Sequence, residues 1–140
     1  MRMDKLTTKF QQALSDAQSL ALGQDNPYIE PMHVLAAMLG QDDGSAASLL
    51  TRAGVNAAKL KDAAKKAIER LPKVEGTGGE VQISRELNNL LNLTDREAQK
   101  RGDQFIASEL FLLTLTDDKG DTGRLMKEAG ASRDRKSTRL

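Results

Sequence analysis

Few side chains in this 140-residue chain have the type and spacing to do chemistry, and those that do are scattered. His33 is the only histidine, and there is no cysteine. That removes disulfides, thiolate metal sites and cysteine nucleophiles. No metal-ligand cluster surrounds His33, so it is expected to be a partly buried helix residue. The carboxylate pairs Asp42/Asp43 and Asp117/Asp118 fall in predicted loops. General acid–base work needs carboxyls held by fixed partners, so solvated turns are expected instead. Lys73 to Gln82, KVEGTGGEVQ, is Gly-rich like a phosphate cradle. It lacks the lysine and the strand-to-helix setting of a P-loop, and no GxxxxGK followed by Ser or Thr occurs in the chain. A flexible linker is the expectation. No catalytic residue, cofactor or metal is assigned, and the chain is read as not an enzyme.

The elements that would carry a site are helices. Aromatic residues make up 3% of the chain, so the core must be Leu, Ala, Ile, Val and Met, which suits close-packed helices better than a sheet. A chain of this length is expected to be one domain with a sizeable core. No run approaches the roughly 20 apolar residues of a membrane span, and no signal-peptide core opens the chain. A soluble, cytoplasmic protein is expected. The net charge of +1 comes from the last seven residues. Without them 18 Lys+Arg face 19 Asp+Glu. A near-neutral body offers no electrostatic case for nucleic acid or an anionic membrane.

One segment occurs twice. Tyr28 to Leu39, YIEPMHVLAAML, and Phe105 to Thr116, FIASELFLLTLT, lie 77 residues apart. Upstream the same offset places Leu6, Phe10, Ala13, Leu14 and Ala21 on Ile83, Leu87, Leu90, Leu91 and Ala98. Downstream an offset of 76 places Leu49, Leu50, Ala53 and Gly54 on Leu125, Met126, Ala129 and Gly130. A repeat this long is a duplicated helical half-domain. The fold class is therefore all-α, two pseudo-symmetric four-helix repeats. Repeat 1 is 1–72, the linker 73–82, and repeat 2, truncated, 83–133. Caps are expected at Thr7, Ser45, Asn56, Ser108 and Thr122, with stops at Gly23, Gly54, Pro72 and Gly130, and repeat 2 restarts at Ile83 and Ser84, which fall on Leu6 and Thr7.

The last helix of repeat 2 is missing or disrupted in the sequence. Leu60, Ala63 and Ala64 fall on Lys136, Arg139 and Leu140, and DRKSTRL carries no helical stripe. Its reverse translation resembles a common sequencing-library adapter, so 134–140 are expected to be non-native and the chain a fragment. Losing that helix would uncover an apolar face of repeat 2, at a cost of several kcal/mol.

The start MRMDKLTTKFQQALSDAQSLAL, the segment NPYIEPMHVL, the linker RLPKVEGTGGEVQ and the stretch AQKRGDQFIASELFLL resemble the Clp N-terminal repeat family. Within it, the similarity is to the ClpB-type branch of bacterial ATP-dependent disaggregases. The linker differs from that of the ClpA and ClpC branches. The resemblance implies a substrate-binding N-terminal domain that engages exposed hydrophobic segments of unfolded or aggregated proteins. Threading by ATPase modules, with their ATP and magnesium, would lie outside these residues. It further implies a homohexameric parent that cooperates with an Hsp70-type chaperone, while this fragment alone is expected to be a monomer. The alternative is a ClpA/ClpC-type domain that docks folded adaptor proteins.

The family's client groove has apolar walls, and its matching positions here are Leu91, Leu93 and Leu110. Thr7, Asp103 and Glu109 are the polar positions beside it. The residue pattern bears on each. Leu93 lies off the Leu87/Leu90/Leu91/Thr94 stripe and is expected to be exposed, where neighbouring leucines would make a patch. Leu110 opens a helix and is expected to reach the surface, while Leu91 is expected to be mostly core. Thr7 reads equally as a cap, Asp103 as a turn residue and Glu109 as a complement to a helix dipole.

Overall fold

Thr7 starts the first helix by satisfying one of its free amides. The computed structural model describes residues 3–41, 45–74 and 81–130. Thr7 is extended there, and its hydroxyl accepts from the Phe10 amide at 3.2 Å. Helix α1, Thr8–Gly23, then buries Phe10, Ala13, Ala17 and Ala21, a stripe at helical spacing. Repeat 2 uses the same device. Ser84 accepts from the Leu87 amide at 3.1 Å, and α5, Arg85–Arg101, buries Leu87, Leu90, Leu91, Thr94 and Ala98. Asn56 caps α4, Ala57–Glu69, through the Lys59 amide. The remaining helices are α2, Pro31–Leu39; α3, Ser45–Arg52; α6, Ser108–Thr116; and α7, Asp121–Glu128. The fold is all-α, with seven helices among the described residues.

Three expected caps are elsewhere. Ser45 is the first residue of α3, and its hydroxyl accepts from Lys9 Nζ at 2.8 Å. Ser108 is the first residue of α6, and Ala107 occupies the capping position, its carbonyl accepting from Leu110 and Phe111. Thr122 lies inside α7, whose first turn is served by Asp118: its carboxylate accepts from the Gly123 amide at 3.3 Å. Asp118 is therefore a structural group, not a solvated turn residue. The pair Asp42/Asp43, the glycines of the linker and the segment 134–140 lie outside the described residues.

The sequence reading contained no strands, yet two of 2 residues each are present. β1, Tyr28–Ile29, pairs in parallel with β2, Gln82–Ile83, with Tyr28 opposite Gln82 and Ile29 opposite Ile83. A single parallel bridge joins Leu6 to Ile106. The 77-residue offset maps Leu6 onto Ile83 and Ile29 onto Ile106. The two pairings are thus the same contact made twice, and each joins the start of one repeat to the middle of the other. Backbone bonds fasten both: Thr7 N–H to Ile106 carbonyl at 3.1 Å, Ile106 N–H to Lys5 carbonyl at 2.7 Å, and Ser84 N–H to Ile29 carbonyl at 3.1 Å.

The main core is shared in the same way. Phe10 of repeat 1 lies 5.4 Å from Phe111 of repeat 2, ring centre to ring centre, and both are fully buried. Leu35, Leu50, Leu60, Leu112, Leu115 and Met126 are buried in the same cluster. A smaller cluster of Met32, Ala64 and Ile68 packs against Leu20, Leu71 and Leu125. The symmetry is not complete at the surface: Leu6 is 3% exposed and its counterpart Ile83 is 42% exposed.

Gly123 is a backbone requirement. A Cβ there would lie 2.0 Å from the Asp118 carbonyl oxygen, closer than any real contact. Gly23 has nothing within 4 Å of that position. Gly123→Ala is expected to cost about 2–4 kcal/mol as α7 is pushed off its loop. Gly23→Ala should be neutral or stabilise by up to about 1 kcal/mol. Urea unfolding of the two variants checks the pair, and equal midpoints would contradict it.

Candidate functional site

Helices α5 and α6 form a hairpin whose turn is closed at Gly102. Its left-handed φ of 73° lets Asp103 N–H donate back to the Ala98 carbonyl at 2.9 Å. The Thr94 hydroxyl donates to the Leu90 carbonyl within α5, and it meets the Thr114 hydroxyl across the hairpin at 3.3 Å. Between the two helices lies an open recess of about 270 Å³ lined by Leu90, Leu93, Glu97, Leu113, Thr114 and Asp117, with Asp118 and Lys119 at its end.

The six sequence-derived positions separate into three groups. Leu93 is 48% exposed and faces this recess, as its position off the stripe requires. Leu91 is buried, as expected for a residue on the stripe. Leu110 is a correction: it is 6% exposed, not a surface residue. The Leu6–Ile106 bridge draws the α1 start onto the connection before α6, and the first turn of α6 closes inward. Thr7, Asp103 and Glu109 lie at the turn end of the hairpin. The Thr7 amide is bonded to Ile106, midway between the other two. Asp103 and Glu109 are exposed, whereas the Thr7 hydroxyl is committed to its cap. Along α6 the recess begins at Leu113, four residues on from Glu109, a rise of roughly 6 Å at 1.5 Å per residue.

His33 is more buried than expected, with 0% exposure. The Glu30 amide donates to its Nδ1 at 2.8 Å, so Nε2 carries the proton and donates to Asn26 Oδ1 at 2.9 Å. Asn26 Nδ2 donates on to the Pro72 carbonyl at 3.1 Å. This relay ties the start of α2 to the end of repeat 1. Burial pushes the imidazole down to about 4.

A second and larger cavity, about 470 Å³, lies where the repeats meet. Repeat 1 contributes Glu30, Met32, Ala67, Arg70 and Leu71, and repeat 2 contributes Glu86, Asp121, Arg124, Leu125 and Glu128. Partial burial and the carboxylates of Asp118, Glu30 and Asp121 hold the Glu86 carboxyl above its ordinary value. Reading the sequence did not find this cavity. Its lining comes from the ends of four helices, and no local spacing announces it. Among the described residues, no group of three or more His, Cys, Asp or Glu is placed to hold a metal ion. Among the described residues, no helix is long and apolar enough to cross a membrane.

The family model for the Clp repeat N-terminal domain matches residues 5–129. The chain is a Clp repeat N-terminal domain. The Clp domain is 50% identical over 130 residues to the chaperone protein ClpB of Vibrio cholerae serotype O1, covering 93% of this chain and 15% of that protein. It is 47% identical over 133 residues to ClpB of Pseudomonas putida, covering 95% and 16%. The chain thus spans about one-seventh of the length of these curated relatives. The crystal structure of the Hsp104 N-terminal domain from Candida albicans superposes with a TM-score of 0.84 at 24% identity, over 96% of this chain and 88% of that one. That likeness supports the fold.

Within the Clp domain the His33 relay makes a pH prediction. The folded-state value lies below the ordinary 6.5, so the fold holds the neutral ring. Its contribution is whole above pH 6.5 and is lost as pH falls toward about 4, because the unfolded chain takes up the proton first. His33→Leu is expected to cost about 2–3 kcal/mol at neutral pH and to flatten the stability profile across that window. Urea melts at several pH values check both, and an unchanged slope in the variant would contradict the assignment.

Proposed function

We propose that this Clp domain is the client-binding module of a ClpB-type disaggregase. It would engage exposed apolar segments of unfolded or aggregated polypeptides. ATP-driven threading would belong to ATPase modules elsewhere in a longer protein. In that protein, hexameric assembly and cooperation with an Hsp70-type system are part of the same reading. By itself, the domain would be a cytoplasmic monomer with no enzymatic activity of its own.

The observation that supports it most is Leu93. A large aliphatic side chain 48% exposed is common alone, but here it borders an open recess floored by Leu90 and Leu113. Such a surface suits weak and sequence-tolerant capture: few directional bonds are available, so binding is broad and release is easy. Thr7, Asp103 and Glu109 would contact the client at the turn end of the hairpin. Leu91 and Leu110, both buried, would support the helices that present the site. The alternative, docking of folded adaptors, calls for an extended polar-rimmed interface.

NMR titration with an unfolded model client is expected to shift amides around Leu93, Leu113 and the 102–109 connection. Leu93→Ser should weaken binding about three- to tenfold and change stability by less than about 0.5 kcal/mol, because the site is half-exposed. Shifts confined to other faces would sink the site assignment. Binding of folded adaptors in preference to unfolded chains would favour the alternative.

A further inference from the structure

The cavity between the repeats has a chemistry of its own. Its floor is apolar: Met32 is 5% exposed, and Leu71 and Leu125 are half-buried against the smaller core cluster. Its walls carry carboxylates from both repeats, Glu30 at the start of α2, Glu86 in the first turn of α5 and Asp121 in the first turn of α7. Arginines also line it. One of them, Arg124, stands 3.8 Å from Asp121. The Glu86 carboxyl is pushed up by burial and then by Asp118, Glu30 and Asp121. Four carboxylates, Glu30, Glu86, Asp121 and Glu128, stand against two arginines, Arg70 and Arg124, so the lining is net negative. The volume of about 470 Å³ falls in the range of ligand pockets.

We propose that this cavity is a second client subsite, which takes a lysine or arginine side chain while an adjacent apolar residue of the same segment rests on Met32, Leu71 and Leu125. The inference rests on the client-binding reading and adds a preference to it. An incoming cation relieves repulsion among carboxylates already partly desolvated, and an acidic segment meets them as like charges. The long aliphatic stem of the basic residue matches the apolar floor, so charge and stem are both satisfied. A purely apolar segment gains the floor alone. A client bridging the recess at Leu93 and this cavity would be chosen for a basic residue near an apolar one.

The test uses three soluble peptides with one sequence, Gly-Ser-Leu-Val-Xaa-Leu-Val-Ser-Gly, in which Xaa is Lys, Gln or Glu. They are titrated into the 140-residue chain and followed by amide shifts and by anisotropy of a labelled peptide. The Lys peptide is expected to bind about fivefold tighter than the Gln peptide, with the Glu peptide weakest and the advantage shrinking with added salt. Shifts should centre on Glu86, Leu71 and Leu125. The double variant Glu30→Gln/Glu86→Gln, with its fold verified by an unchanged spectrum elsewhere, should bind Lys and Gln peptides equally. Equal affinities in the natural chain, or a Lys preference that survives the double variant, overturn the subsite. Shifts only around Leu93 also overturn it, while leaving the client-binding reading in place. Failure of all three peptides and of an unfolded model client overturns both.

Discussion

The structure depends on the exchange of backbone pairing between its two repeats. Leu6 lies beside Ile106 and Ile83 beside Ile29, so each repeat begins on the other. These segments are short, and the bonds are few. They nonetheless place the first turns of α1 and α5 against the connections that precede α6 and α2. Phe10 and Phe111 can then meet in the middle. Each buried aromatic of that size contributes about 2–3 kcal/mol by removal from water, and the two pack on each other across the repeats. The repeats therefore form a single cooperative core.

The same exchange explains why the repeats differ where they meet solvent. A two-fold relation makes equivalent positions, but side chains at them are free to diverge. Leu6 is core and Ile83 is half-exposed. His33 occupies the position of Leu110 in the other copy, and both are buried, one by a hydrogen-bond relay and one by apolar packing. Asp16, the counterpart of Leu93, is a solvated acid. The recess on α5 and α6 thus has no twin of the same chemistry in repeat 1. The cavity between repeats is asymmetric too, lined by the end of α4 on one side and the start of α7 on the other.

Helical residues were legible because the chain signals them locally. Thr7, Ser84 and Asn56 cap as their positions imply, and the apolar stripes after them are buried as spaced. Glycines at 54, 102 and 130 adopt the left-handed backbone that ends a helix. Ser108 and Thr122 misled, because a neighbour reached the free amides first: the Ala107 backbone in one case, the Asp118 carboxylate in the other. Strands of two residues leave no alternation to detect. Of the candidate site, the exposure of Leu93 could be read from its angle on the helix. The burial of Leu110 could not, since it follows from how the first turn of α6 is pressed inward.

Sequence alone determined the all-α class, the duplication and the residues that start and stop most helices, because these are set by contacts within a few residues. It also located Leu93 on the outer face of α5, since helical periodicity alone decides that angle. Tertiary structure decided which repeat covers which, and so created the shared aromatic core. It decided that the Thr7 amide is bonded to Ile106 of the other repeat, and that Glu30 and Glu86 line one cavity from opposite repeats. Those relations join residues tens of positions apart, and only the exchanged pairing brings them together.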